Sequence, residues 1–290
     1  MSERFREGWA FGRPNVVPIA PRLAADDDEL KEIPASRLLR EPPRRDWMVQ
    51  DTFLRGTVAM LSGIGGAGKS ILCQQLATSA VLGLPWFGMN LQRGKALYMA
   101  CEDDANELHR RQISINDSLG CSMDEVCEAG LELHPREDKD NVLMRLNKET
   151  WRLRRTPLMD RLAGRCREHG IQYLILDTAT ATFDGNQNDE RHVRDYVTEN
   201  RKMAVMMGGI VLFTKHPSMT GINDKTGESG SRQWNNAVRS RLYLHREKDE
   251  SLVLEHVKGN YSGKGNKIPL VWERGVFKVN EPEPPYWGKD

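Results

Sequence analysis

The chain has 290 residues, with 42 Lys and Arg against 41 Asp and Glu, a formal net charge of +1. That length allows one large domain or two small ones, and the balance of charge excludes a globally polycationic DNA-coating protein but not a local basic channel. No apolar run approaches the roughly 18 residues of a membrane helix, and the five cysteines (Cys73, Cys101, Cys121, Cys127 and Cys166) are scattered without a CxxC, so we expect reduced thiols in a cytoplasmic protein with no structural zinc.

The N-terminus, MSERFREGWAFGRPNVVPIAPRL, has no apolar core of signal-peptide length. Residues 1–45 carry six prolines and the acidic run Asp26–Glu29, and end in a basic stretch from Arg37 to Arg45. Hydrophobic periodicity begins only near Trp47. We expect a flexible N-terminal arm over 1–45 and a single folded domain over 46–290.

From residue 46 the pattern alternates. Gly56–Ser62 reads as a short apolar strand and Lys69–Leu82 as a helix with Ile71, Leu72, Leu76 and Ala80 on one face. A strand is predicted over Lys95–Ala100, a charged helix over Ala105–Ile115 and a further strand over Gly130–His134. Leu158, Leu162 and Cys166 mark an amphipathic helix over Thr156–His169. Gln172–Leu176 is a buried-type strand. Asp189–Met207 reads as a helix and Gly209–Thr214 as a strand. A Gly/Ser-rich loop follows, from Pro217 to Ser231. Strands Arg241–His245 and Leu252–Lys258 precede a closing hairpin around Ile268–Val279. Short apolar strands alternating with helices predict an α/β fold with a mostly parallel, twisted sheet and crossover helices.

Strand Thr57–Ser62 runs into Gly63-Ile64-Gly65-Gly66-Ala67-Gly68-Lys69-Ser70 and then into a helix that begins with Ile71 in its first turn. This is G-x-x-x-x-G-K-S in strand–loop–helix order. Glycines let successive backbone N–H groups turn toward phosphate oxygens, and the helix N-terminus adds partial positive charge. Lys69 can reach the β- and γ-phosphates of ATP, and Ser70 can hold Mg²⁺. Such a site also needs an acid on the metal side and a base for the attacking water. Strand Tyr173–Leu176 ends in Asp177-Thr178, which suits the metal-side acid. Strand Ala96–Ala100 ends in Cys101-Glu102-Asp103-Asp104, and its place after the P-loop helix suggests a strand beside the P-loop strand. Glu102 is the candidate general base, while Asp103 and Asp104 could cap the next helix. His216, at the tip of strand Ile210–Thr214, suits a sensor facing the γ-phosphate.

The order of these motifs resembles the RecA-like branch of P-loop ATPases. More narrowly, residues 46–280 resemble the RepA-type group of AAA-domain ATPases found in plasmid and phage replication modules. The matching stretches are DWMVQDTFLRGTVAMLSGIGGAGKS, ALYMACEDD, ILDTATATFDGNQNDE, FTKHPSMTG and SGSRQWNNAVRSRLYL. The resemblance implies a ring-forming homo-oligomer, the best-known member being a hexameric helicase, that acts on single-stranded DNA alongside replication or recombination proteins.

Ring ATPases need a cation from the neighbouring subunit on the transferred phosphoryl group. Related helicases carry Lys-x-Arg late in the chain. The corresponding stretch here is Lys258-Gly259-Asn260-Tyr261, so the trans-acting cation stays open among Lys258, Arg239 and Arg241. Thr180–Glu190 and Ser218–Gln233 follow the strand ends that face the pore in RecA-like rings. Lys225, Arg232, Trp234 and several glycines there suit contact with a nucleic-acid backbone. Trp47, before the first core strand, is expected to pack rather than to stack on adenine. Two other functions compete: a recombination mediator or helicase loader that does not unwind, and a small-molecule kinase. The stretch GLPWFGMNLQRG has one Arg and no lid, which counts against the kinase. No Asn-Lys-x-Asp motif supports guanine recognition.

Overall fold

A computed structural model of the chain describes residues 32–217 and 232–280. It divides into two units, Met1–Arg44 and Arg45–Asp290. In the first unit the described residues hold one short helix, α1 (Ala35–Leu38). Most of the expected arm, residues 1–31, lies outside the described residues.

The second unit opens on a small antiparallel pair, β1 (Trp47–Val49) and β2 (Phe53–Leu54). Then come β3 (Thr57–Gly63), α2 (Lys69–Leu82), β4 (Lys95–Ala100), α3 (Ala105–Leu119), α4 (Met123–Glu128) and β5 (Leu131–Pro135). The hairpin β6 (Met144–Asn147) and β7 (Arg152–Arg155) leads to α5 (Pro157–His169), β8 (Ile171–Asp177), α6 (Ala179–Thr182) and β9 (Phe183–Asp184). The chain continues through α7 (Glu190–Met207), β10 (Ile210–Lys215), α8 (Arg232–Ala237), β11 (Ser240–Arg246), β12 (Leu252–Gly259), β13 (Lys267–Glu273) and β14 (Val276–Val279).

Nine strands form one sheet in the order β14-β13-β12-β11-β3-β10-β8-β4-β5. From β11 to β5 every neighbouring pair is parallel, and from β11 to β14 the chain folds back as an antiparallel meander. Period-2 alternation feeds two cores. Ala59, Leu61, Tyr173, Ile175, Ile210 and Leu212 face α2 and α3. Val58, Met60, Leu174, Leu176, Val211 and Phe213 face α5 and α7. Burial on both faces is why these strands read as continuous apolar runs. The fold is therefore the expected α/β P-loop core with a C-terminal hairpin.

One expectation is corrected. β4 does not lie beside the P-loop strand β3: its partners are β8 and β5, and β10 and β8 stand between. Two later strands insert next to β3 because each crossover helix can return its strand to either side of a parallel neighbour, so order along the chain does not give order in space. Glu102 thus approaches the site from two strands farther out than expected. The small sheet β7-β6-β9 was not foreseen either. In β7, Arg152-Leu153-Arg154-Arg155 buries only Leu153, too little to leave an apolar pattern.

Candidate nucleotide site

β3 delivers the chain to the loop Ile64–Gly68, and α2 starts at Lys69. Gly68 is the N-cap, with φ +95°, and a Cβ there would collide with the Phe277 ring. Glycine at this position therefore serves both the turn and a close approach. Lys69 is buried, and its Nζ donates to the carbonyls of Gly63 at 2.8 Å and Ile64 at 3.0 Å. The same Nζ lies 3.4 Å from His216 Nδ1. An ammonium only donates, so Nδ1 accepts and the His216 ring proton sits on Nε2, free to donate to a ligand. Burial pushes the Lys69 ammonium below its ordinary value, against the fields of Asp177, Cys73 and Glu102. Burial and then Lys69 lower His216, which keeps the imidazole neutral. Gly65 and Gly66 are exposed, and Ser70 is half-buried. Ile71 packs mainly into the core.

Asp177 ends β8 and is buried. The Tyr98 hydroxyl from β4 donates to its Oδ2 at 2.6 Å, and the Thr214 hydroxyl from β10 donates to its Oδ1. Two neighbouring strands thus clamp one carboxylate, and each oxygen of the buried group accepts one hydrogen bond. The three acids after β4 separate by role. Asp104 caps α3, accepting from the Glu107 N–H at 2.7 Å. Asp103 takes a bidentate pair from Arg111 at 2.6 and 3.0 Å. Glu102 is exposed, and its Oε1 accepts from the Thr178 hydroxyl at 3.3 Å.

Gly66, Ala67, Gly68, Lys69, Ser70, Glu102, Asp177, Thr178 and His216 line one cleft of about 870 Å³, within the range of small-molecule sites. The Ser70 hydroxyl and the Asp177 carboxylate are hard oxygen donors and fit Mg²⁺ held partly through water. Among the described residues no group of three or more His, Cys, Asp or Glu could hold a metal alone.

The late cations do not reach this cleft. β11 runs parallel to β3 with Ser240 opposite Ala59 and Leu244 opposite Gly63, so Arg241 lies level with Met60, at the middle of β3 and three residues short of the phosphate loop. Arg241 is buried and Arg239 half-buried. Lys258 donates to the carbonyls of Asn235, of Asn236 at 3.3 Å and of Val238 at 2.8 Å. All three of its N–H groups are used at the C-terminal end of α8, where a cation complements the helix dipole. This corrects Lys258 as a free finger. Trp234 is also corrected: it is fully buried in an aromatic cluster with Phe183, Tyr196 and Phe213, with Lys215 Nζ 4.5 Å from its ring centre. It cannot stack on a base. Lys215 also donates to Gln187 at 2.8 Å, inside the first of the two expected pore-facing segments. Of the second segment, Ser218–Gln233, residues 218–231 lie outside the described residues and the last two open α8. Trp47 packs half-buried in β1 opposite Leu54, as expected.

Sequence reasoning missed Tyr98 and Thr214, which read as ordinary strand residues. It also missed the wall opposite the phosphate loop, where Leu252, Leu270, Trp272 and Phe277 line the same cleft. The signal for that wall was two aromatics flanking a turn, Trp272-Glu273-Arg274-Gly275-Val276-Phe277.

A parallel α/β sheet, a P-loop at the end of its inner strand and a clamped acid two strands away define a P-loop ATPase domain. The AAA domain family matches residues 24–221, and the chain belongs to that family, whose domains hydrolyse nucleotides. Comparison with curated proteins gives no match. Among the described residues no helix is long and apolar enough to cross a membrane.

Proposed function

We propose that this chain is an oligomeric ATP-hydrolysing motor that acts on single-stranded DNA, with the roles read from its sequence. In this reading the loop Gly63–Ser70 cradles the triphosphate of MgATP, Lys69 neutralises the β/γ oxygens and Ser70 contacts Mg²⁺. Asp177 orients water on the ion. Glu102 takes the proton of the attacking water, and His216 donates from Nε2 to the γ-phosphate. The observation that carries it is the convergence of Lys69, Ser70, Glu102, Asp177 and His216, from four separate stretches of chain, on one cleft.

The DNA and assembly parts rest on other support. The replication-type stretches favour DNA, and the Lys215–Gln187 bond links the tip of β10 to the expected pore-facing segment. Of the three late cations, Arg239 and Lys258 are half-buried and Arg241 is buried, and the bonds of Lys258 to the carbonyls around α8 favour Arg239 as the one to meet a neighbour. The test is the ATPase rate with and without single-stranded DNA, measured alongside mass in solution. The reading expects DNA stimulation and activity that rises with protein concentration as rings form. A dilution-independent monomer indifferent to DNA would turn the assignment toward a kinase. Strand displacement on a forked duplex separates a helicase from a mediator or loader.

A further inference from the structure

The antiparallel meander β11–β14 begins beyond residue 221, where the family match ends. Its last hairpin nevertheless touches the phosphate loop. Trp272 and Phe277 are cross-strand partners, with ring centres 4.9 Å apart at 72°, an edge-to-face pair. The two rings have different surroundings. Phe277 is 6% exposed and lies on Gly68, while Trp272 is 57% exposed and lines the cleft. An indole this open, braced by a buried partner, is an unsatisfied apolar surface beside an anion site.

The hairpin is also fastened to the P-loop helix. The Gln75 side chain accepts from the Phe277 N–H at 3.2 Å and donates to the Phe277 carbonyl at 2.9 Å, closing both backbone bonds like an added strand residue. At the turn, a Cβ on Gly275 would lie 2.7 Å from Ser114 Oγ, so the turn sits directly on α3. Helix α2 therefore carries the phosphate loop at its N-terminus and the hairpin nearly two turns later, at Gln75.

We propose that Trp272, braced by Phe277, is the base-stacking face of the nucleotide site, taking the purine ring of the nucleoside triphosphate whose phosphates the P-loop holds. This rests on the triphosphate reading above. A phosphate chain seated on the N-terminus of α2 leaves the nucleoside in the rest of the same cleft, whose floor there is Ile71, Leu252 and Leu270. Stacking needs only a π-face, so it supplies affinity for the base without selecting among purines.

The test compares two ligands on the full-length chain by calorimetry: MgATP, and Mg-tripolyphosphate, which carries the phosphates without a base. Trp272→Ala should weaken ATP binding about five- to hundredfold, the range of one lost stacking contact, and leave tripolyphosphate within twofold of wild type. Trp272→Phe should recover most of the ATP affinity. Equal weakening of both ligands would overturn the proposal, since it would trace the loss to a displaced P-loop. Unchanged ATP binding would overturn it as well, while leaving the triphosphate site intact. A wild-type chain that bound neither ligand would instead sink the triphosphate reading and this proposal with it. Trp272→Ala loses the edge-to-face pair with Phe277 and should melt slightly below the wild type. Its folding equilibrium should fall about two- to twelvefold, the roughly 0.5–1.5 kcal/mol of one such pair at about 1.4 kcal/mol per tenfold. Trp272→Phe should melt with the wild type, and a larger loss in the Ala variant would count against the proposal.

Discussion

The two ends of the inner strands use their charged side chains in opposite ways. At the carboxyl end, Lys69, Glu102, Asp177 and His216 line a common cleft open to a ligand. Toward the amino end, Lys258 has all its donors on the carbonyls after α8, and at the middle of β3 Arg241 is buried level with Met60. Each end holds a cation with a lowered pKa, Lys69 buried and Lys258 half-buried. Lys69 is lowered by burial but faces two carboxylates, whereas Lys258 is lowered by burial and further by Arg239 and Arg241. The contrast teaches that hydrogen-bond count does not separate the two cations, since each has three partners within the chain; what marks Lys69 is the open cleft it lines, with Asp177 and Glu102 beside it.

The contrast breaks most visibly at Lys69. Lys69→Ala should lower kcat per folded chain by about two to three orders of magnitude, the effect of losing one preorganised electrostatic donor. Lys258→Met should act on stability instead. Three carbonyls lose a charged donor, so stability should fall by about 1–3 kcal/mol while kcat per folded chain stays within a few-fold. Unfolding by urea and steady-state turnover on the same preparations separate the two outcomes.

Tyr98→Phe sharpens the description of the open end. It removes one of the two hydroxyls that hold Asp177 and keeps the ring that fills the core. The Mg²⁺ concentration for half-maximal hydrolysis should rise about tenfold, the usual scale for losing a partner of a metal-side ligand, with kcat at saturating Mg²⁺ little changed. An unchanged Mg²⁺ dependence would mean that Thr214 alone positions the carboxylate.

The smallest effect is in pH. Burial sets the Lys215 ammonium at about 8 in the folded chain, against an ordinary 10.5. Below about 8 both states carry the proton and the folded state bears the cost of a buried charge. Between about 8 and 10.5 the unfolded chain binds more protons, so this group's contribution to stability rises with pH. Lys215→Met lacks the titration. The difference between the wild-type and Lys215→Met melting profiles should therefore climb across that window, and a flat difference would show that the Trp234 face and Gln187 hold the charge without cost.

Much of the open end was legible because its signals are local. Glycine spacing, a strand ending in Asp177 and a strand ending in Glu102 are each written in a few consecutive residues. The strand order was not legible, because nothing local says that β10 and β8 fall between β3 and β4. Tyr98 and Thr214 were hidden for a related reason. Both occupy strand positions that would be apolar in any buried sheet, and only the register of β4, β8 and β10 brings their hydroxyls to Asp177. Lys258 and Trp234 misled in the other direction, since a cation or an aromatic next to a Gly-rich loop reads the same whether it faces solvent or closes a helix. Trp272 sat inside a correctly expected hairpin, but only the cleft gives its exposure a meaning.

The central claim is that one acid after β4 does chemistry while its two neighbours hold the fold. Parallel measurement of MgATP binding and hydrolysis by Glu102→Gln, Asp103→Asn and Asp104→Asn tests it most directly. The account predicts that Glu102→Gln binds MgATP like the wild type and loses about two to four orders of magnitude in turnover, the scale of general-base catalysis. The two aspartate variants should keep turnover within a few-fold and lose stability, through the Arg111 pair and the α3 cap respectively. Normal hydrolysis by Glu102→Gln together with a dead Asp103→Asn or Asp104→Asn would contradict it.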